Sequence, residues 1–351
     1  LWERRGIARR VFSANLKSEL ENPVNSTLCR KRMIKVLDLF CGMGGLSLGF
    51  AEEGFSITGY DIHPRVPDIF RINRIGNAVV ADLSTSDAIR PEDRDVHIVI
   101  GGPPCRPWSV LNIRRRKNAH PDYRLLEAFF NHVLTIEPVV FLMENVPIVD
   151  ADVTYHELLR RKISRKYFTC RKIIRYADYG AATARRRLIT IGFRKDIAKK
   201  EAPYMFFEKL RKYRREPIAV GSVIEPYLYL ERGAFPDHEW GNFRTIEKYT
   251  DKYRSGKFGW CRLDANSPAP SFGNIMKTYI LHPYAGNGRN IPLRVLSIRE
   301  AMAIMGFPDN FRFPEGMGLT PRYQMVADAV SPVFSRVCAR VLYEMLCDGQ
   351  K

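Results

Sequence analysis

No apolar run in the 351 residues reaches the roughly 18 that cross a bilayer, so no membrane role is expected. The first thirty residues hold no signal-peptide core, and nothing marks the chain for secretion. Glycine and proline are ordinary, at 24 and 22 residues, and no heptad persists, which excludes collagen-like and coiled-coil folds. The seven cysteines are Cys29, Cys41, Cys105, Cys170, Cys261, Cys338 and Cys347. They are scattered and never spaced as C-x-x-C, which argues against a disulfide scaffold and against a structural zinc site. A reducing, cytoplasmic compartment is expected, no metal is expected, and any cysteine that matters should matter as a nucleophile. Acidic side chains are the scarcer charge: 38 Asp and Glu against 56 Lys and Arg, a net +18. A globular chain this basic points to a polyanionic partner, nucleic acid first. With 45% hydrophobic residues, wholesale disorder is excluded and there is material for two domains.

Residues 1–32 carry eight basic and three acidic residues and read as a basic N-terminal extension. Met33, just before a clean apolar run, is an alternative translation start. From 34 to about 193 short apolar runs recur at 34–40, 56–60, 96–100, 139–143 and 188–193, with a further short strand before Asp82. Helix-length segments at 44–53, 122–136 and 153–164 lie between them. This alternation predicts an α/β fold with a mostly parallel sheet covered on both faces. Ligands in such folds sit at the carboxyl ends of the strands. Residues 194–290 are rich in aromatic and basic side chains without a long period, and read as a small, loop-rich second domain. Helical periodicity returns over 291–351, with Ser297 and Glu300 spaced as a capping box and a last helical stretch over 324–347.

Four motifs carry chemistry. The first, Asp38-Leu39-Phe40-Cys41-Gly42-Met43-Gly44-Gly45, is a strand, a Gly-rich turn and a helix start. It is neither the G-x-G-x-x-G of dinucleotide folds nor a P-loop, which removes an NAD-dependent enzyme from consideration. Asp61 and Asp82, each at a strand end, are placed to accept hydrogen bonds from ribose hydroxyls and an adenine amine. The second motif, Gly101-Gly102-Pro103-Pro104-Cys105-Arg106-Pro107-Trp108-Ser109, puts a cysteine in a Pro-held loop at a strand end. The basic run Arg114-Arg115-Arg116-Lys117 follows and suits a phosphate backbone. The third, Glu144-Asn145-Val146, ends another strand and offers an acid. The fourth, Thr183-Ala184-Arg185-Arg186-Arg187, precedes a strand, so Arg185 and Arg187 would face one way if extended.

Taken in order, these motifs resemble the cytosine-5 DNA methyltransferase family. So do Arg294 to Ala301, Met305-Gly306-Phe307-Pro308-Asp309 and Gln324 to Pro332. The likeness covers about 33–193 and 262–345, and points to a prokaryotic modification enzyme. It implies a class I S-adenosylmethionine-dependent methyltransferase, a Rossmann-like mixed sheet, with a catalytic and cofactor-binding domain at 33–193. Residues 194–290 would form the target-recognition domain, and 291–351 a C-terminal segment whose last helix returns to the catalytic domain. Cys105 would be the nucleophile that adds to cytosine C6, and Glu144 would hold and protonate N3. Arg187 would contact O2, with Arg185 supporting it. Phe40 would stack on the cofactor adenine, and Gly42, Met43 and Gly44 would lie along its methionine part. Asp61 would take the ribose, Asp82 the adenine amine, and Pro104 would shape both pockets. Asp328, Ala329 and Val330 would close the cofactor pocket. Ser109, Arg114, Arg115, Arg116 and Lys117 would meet DNA.

The implied reaction moves a methyl group from S-adenosylmethionine to C5 of a flipped cytosine in a specific duplex sequence, leaving S-adenosylhomocysteine. The implied protein is a monomer, with a cognate restriction endonuclease as a possible partner in the cell. An RNA cytosine-5 methyltransferase on the same scaffold and a non-catalytic DNA-binding homologue are the alternatives. Arg106, Trp108, Thr183 and Asp328 depart from the usual family residues.

Overall fold

The computed structural model describes residues 34–104, 120–242, 246, 260–286 and 291–347. Five parallel strands come first: β1 (Lys35–Leu39), β2 (Ser56–Asp61), β3 (Asn77–Val80), β4 (Ile98–Gly101) and β5 (Val140–Asn145). Helices α1 (Gly45–Glu52), α2 (Val66–Ile72) and α3 (Leu125–Ile136) connect them, and α4 (Val153–Glu157) follows β5. Two long strands, β6 (Tyr167–Arg175) and β7 (Arg186–Arg194), complete a sheet of order β3-β2-β1-β4-β5-β7-β6. β7 runs antiparallel to both neighbours. The sheet is therefore mixed, with its parallel part as the alternation predicts.

Consecutive apolar residues explain the layers. Val36, Ile57, Ile98, Val140 and Ile189 face one side, while Leu37, Leu39, Val99, Phe141 and Leu188 face the other. Both faces are covered, which is why these strands read as unbroken apolar runs. α3 presents Phe129, Phe130 and Val133 to one face, and Phe141 meets both phenylalanines edge-on.

Three elements differ from the sequence expectation. β6 was not foreseen because it is an edge strand: Arg171 and Lys172 are exposed and its apolar residues do not form a run. The segment 153–164 is not one α-helix. α4 passes into a wider π turn at Leu158–Lys162 and a tight 3-10 turn at Ile163–Arg165. The C-terminal stretch is two helices, because Ala329 is extended and Pro332, which has no N–H to donate, opens the next helix.

Past the sheet, α5 (Ala202–Arg211) packs on β6 and on the last helix, so this stretch lies against the sheet. Short helices α6 (Val220–Ile224) and α7 (Ile275–Thr278) follow. The irregular segment around Asp237 is clamped to α8 (Ile298–Met305) and α9 (Leu319–Asp328). Arg322 reaches Asp237 Oδ1 and Glu239 Oε2, each at 2.9 Å. The capping box of Ser297 and Glu300 is present. Finally α10 (Pro332–Cys347) returns across the molecule and lies on α1. Two glycines of α1 make that contact possible. A Cβ on Gly45 would lie 2.2 Å from Val330 O, and one on Gly49 would lie 2.3 Å from Arg336 N.

Cys41, Cys170, Cys261 and Cys338 carry free thiols, whereas Cys347 is disulfide-bonded. Among the described residues no helix is long and apolar enough to cross a membrane. Nor does any group of three or more His, Cys, Asp or Glu stand ready for a metal there.

Candidate active site

The order of the strands reverses between β1 and β4, and parallel sheets bind ligands in the crevice at such a point. A cleft of about 360 Å3 opens there, at the carboxyl ends of the strands. Phe40, Gly42, Met43, Asp61, Asp82 and Pro104 line it, as do Glu144, Arg185, Arg187, Asp328, Ala329 and Val330. Residues scattered over 290 positions of chain thus meet on one edge of one sheet.

The Gly-rich turn is built by its backbone. Phe40 and Gly42 both have left-handed φ, at 61° and 52°. For a phenylalanine that conformation is strained, and it turns the chain sharply off β1. Gly42 N donates to Asp61 Oδ2 at 2.9 Å, and His63 N donates to Asp61 Oδ1 at 2.9 Å. Asp61 thereby ties the turn to the end of β2 while its carboxylate faces the cleft. A Cβ on Gly42 would meet nothing within 4 Å, so the cleft wall is open at that point. Gly44 does not line the cleft. It caps α1 with φ 83°, and a Cβ there would strike Ile75 at 2.7 Å, so its role is the turn itself.

Asp38 lies beneath this turn and was not singled out from the sequence. Its Oδ2 accepts from Ser47 Oγ at 2.6 Å, which holds the first turn of α1 to β1. Burial pushes its carboxyl up to about 7, against the Ser47 hydrogen bond and with help from the nearby Asp61 charge. Asp82, exposed at the rim, is held below its usual range by hydrogen bonds from the Ser84 amide and hydroxyl. Cys41 also lines the cleft, but burial and the Asp38 and Asp61 charges push its thiol far up, so it stays protonated and is no nucleophile.

The acid end of the cleft depends on β7 being antiparallel. Asn145 pairs with Leu188 and Glu144 with Ile189, so the start of β7 lies beside the end of β5. Arg187 Nε then comes to 2.9 Å of Glu144 Oε1, with both side chains buried. Tyr176, in the turn after β6, donates its hydroxyl to the same oxygen at 3.1 Å. Asn145 Nδ2 donates to Pro103 O at 3.1 Å and fixes the Pro-Pro loop to the end of β5. Arg185 is buried and carried by a segment held from outside the sheet: Ala184 N donates to Ala269 O at 2.7 Å. On the opposite wall Gln324 Nε2 donates to Asp328 Oδ2 at 2.9 Å, and Asn274 Nδ2 donates in turn to Gln324 Oε1 at 3.1 Å.

Cys105, Ser109, Arg114, Arg115, Arg116 and Lys117 lie outside the described residues. Sequence reasoning missed Asp38, Ile62, His63, Leu125, Gln324 and Tyr176. Ile62 had only a faint sequence signal, an apolar residue directly after the strand-end acid Asp61; that it is 68% exposed on the cleft is visible only in the structure. Tyr176 had none, because it follows a strand that sequence does not reveal.

The donor set fits S-adenosylmethionine: carboxylates at two strand ends for hydroxyls and an amine, an aromatic ring, and open backbone at Gly42. Comparisons with known proteins agree with this geometry. The C-5 cytosine-specific DNA methylase family profile matches residues 34–344. Type II methyltransferase M.FnuDI of Fusobacterium nucleatum is 28% identical over 341 residues, spanning 91% of this chain and 96% of that one. Type II methyltransferase M1.HphI of Haemophilus parahaemolyticus is 29% identical over 333 residues, spanning 88% and 86%. Among solved structures, the Dnmt2 methyltransferase of S. pombe shares the fold, with a TM-score of 0.65, 16% identity, and coverage of 90% and 99%. The match over nearly the whole chain places this protein in the C-5 cytosine-specific DNA methylase family.

Proposed function

We propose that this DNA (cytosine-5-)-methyltransferase works through Cys105 and Glu144 on a cytosine flipped from duplex DNA. The observation that carries the reading is the shared edge: the buried Glu144–Arg187 pair and the Phe40–Asp61–Asp82 wall belong to one cleft. Phe40, Gly42, Met43, Asp61, Asp82, Asp328, Ala329 and Val330 would hold S-adenosylmethionine, with Pro104 between the cofactor and base pockets. When bound, it supplies a methyl group activated on a sulfonium.

The chain's own residues make C5 a nucleophile. Cys105 adds as thiolate to C6; the C5–C6 electron pair shifts to C4–C5, and the C4–N3 pair moves onto N3, which takes a proton from Glu144. Arg187, with Arg185 behind it, holds the base through its O2. After C5 is methylated, its proton leaves to a base. The electron pair re-forms the double bond, the Cys105 thiolate departs, and N3 returns its proton to Glu144. The atom attacked is out of reach inside a stacked duplex, so the base must be extruded at a cost of a few kcal/mol that phosphate contacts offset.

Ser109, Arg114, Arg115, Arg116 and Lys117 are assigned to DNA, and residues 194–290 to target recognition, with residues 1–32 outside the catalytic unit. The relatives' names support a type II modification methyltransferase. The reading adds a monomer in the cytoplasm beside a cognate restriction endonuclease. The function needs no metal.

A duplex carrying 5-fluorocytosine at the target tests the reading. It should trap a covalent complex in the presence of S-adenosylmethionine, because fluorine cannot leave as a proton does. Cys105→Ser should abolish both trapping and methyl transfer, and a transfer RNA substrate should be methylated far more slowly than duplex DNA. Methyl transfer retained by Cys105→Ser would refute the assignment.

A further inference from the structure

We infer that Tyr176 is a positioning residue for the reaction: its hydroxyl occupies one oxygen of the Glu144 carboxyl and so reserves the other for the base. The inference rests on the role proposed above for Glu144 and deepens it. Tyr176 is fully buried, and its amide donates to Arg185 O at 3.0 Å. Its ring stacks on Phe334 of α10, with centroids 5.1 Å apart and planes at 27°. Thus a helix from the far end of the chain fixes the ring, and the ring aims the hydroxyl.

The hydrogen bond from Tyr176 and the closest approach of the Arg187 ion pair fall on the same atom. Tyr176 Oη lies 3.1 Å and Arg187 Nε 2.9 Å from Oε1. The described residues place no donor on Oε2. That oxygen faces Gly102, where a Cβ would lie 3.2 Å away, and Gly102 lines the cleft. A proton on Oε1 would face the Tyr176 hydroxyl proton and the Arg187 guanidinium, so it sits on Oε2, where the base arrives. Tyr176 keeps its own proton, because burial and then the neighbouring Glu144 charge push its phenol well above the usual range. Among the described residues the charged groups around the pair are Arg185, just before β7, and Arg187, near its start. Gly102 also acquires a reason: any side chain there would crowd the oxygen that must carry the proton.

Tyr176→Phe keeps the ring and its stack on Phe334 and removes only the hydroxyl. A hydrogen bond to a charged group sets the scale, so the single-turnover methyl-transfer rate should fall about tenfold. Affinities for S-adenosylmethionine and duplex DNA should stay within about twofold, since no substrate contact is lost. Tyr179→Phe is the control. Tyr179 packs edge-on against the same Phe334, at 5.3 Å between centroids, without touching Glu144, and its rate should not change. A folded Tyr176→Phe protein with wild-type single-turnover rate, beside an inactive Glu144→Gln, overturns the inference and leaves the Glu144 assignment standing. Wild-type transfer by Glu144→Gln would instead remove the Glu144 reading and this inference with it.

Discussion

Gly49→Ala sets two physical effects of opposite sign against each other. Gly49 sits inside α1, where alanine is favoured over glycine by about 1 kcal/mol. Helix propensity alone therefore predicts a more stable protein. Packing predicts the reverse. The added methyl would lie 2.3 Å from Arg336 N and 2.6 Å from Ser335 C, both main-chain atoms that no rotamer change moves aside. Ordinary contact requires α10 to retreat by about 1 Å, and overpacking of this kind typically costs about 1–3 kcal/mol. The rigid backbone puts this site at the upper end. The same retreat breaks the buried hydrogen bond from Ser335 Oγ to Leu46 O, worth about 1 kcal/mol. The Arg336–Glu52 and Arg340–Glu53 pairs at the same interface are partly exposed and add little. The net expectation is a loss of about 3 kcal/mol and a fall in Tm of roughly 4 °C. Thermal and urea unfolding measure it directly. Gly45→Ala supplies a second comparison, because its methyl would strike Val330 O at the cleft wall. Its affinity for S-adenosylmethionine should fall about tenfold further than that of Gly49→Ala, since a shift of about 1 Å at a binding wall is enough. A Gly49→Ala protein as stable as wild type, or more so, refutes the close docking of α10 on α1.

Two further outcomes concern buried carboxyls. Asp38, raised from 3.8 to about 7, keeps its proton in the folded protein where the unfolded chain has lost it. Its contribution to stability is therefore full below pH 3.8 and lost as pH rises through 7, an effect of at most roughly 4 kcal/mol. Asp38→Asn keeps an acceptor for Ser47 and should flatten that decline between about pH 4 and pH 7 in urea titrations; an unchanged decline would mean another group is responsible. Glu300 behaves oppositely. Burial pushes it up, but the two Arg294 hydrogen bonds, with the His282 ring close by, outweigh burial and hold it well below the usual carboxylate range. Its stabilisation is present above the unfolded value of 4.5 and lost as pH falls. Glu300→Gln leaves Arg294 buried without its counter-charge and should cost about 3–5 kcal/mol at pH 7; a loss under about 1 kcal/mol would contradict the buried pairing.

The elements visible in the sequence are those whose signal is local. β1, β4, β5 and β7 announce themselves because burial on both faces demands unbroken apolar runs. β6 stays hidden because an edge strand carries Arg171 and Lys172 toward solvent. The capping box at Ser297 is legible because all its partners lie within four residues. The break at Ala329–Ser331 is not, since Pro332 alone does not say which way the chain turns. At the site, Asp61, Asp82 and Glu144 could be named from sequence because a strand end followed by a loop is a local pattern.

What residues alone determine here is the inventory: strand-end acids, a glycine turn, a cysteine loop, paired arginines and an excess of positive charge, in an order that one family shares. What only the tertiary structure decides is which of them meet. Arg187 reaches Glu144 because β7 runs against β5, a choice made by sheet pairing and not by the arginine run. Val330 closes the cleft because two glycines of α1 let a backbone more than 280 residues away come within contact. Tyr176 acquires a partner in Glu144 for the same reason. Contacts between distant segments depend on how whole elements pack, and no window of sequence contains both sides of them.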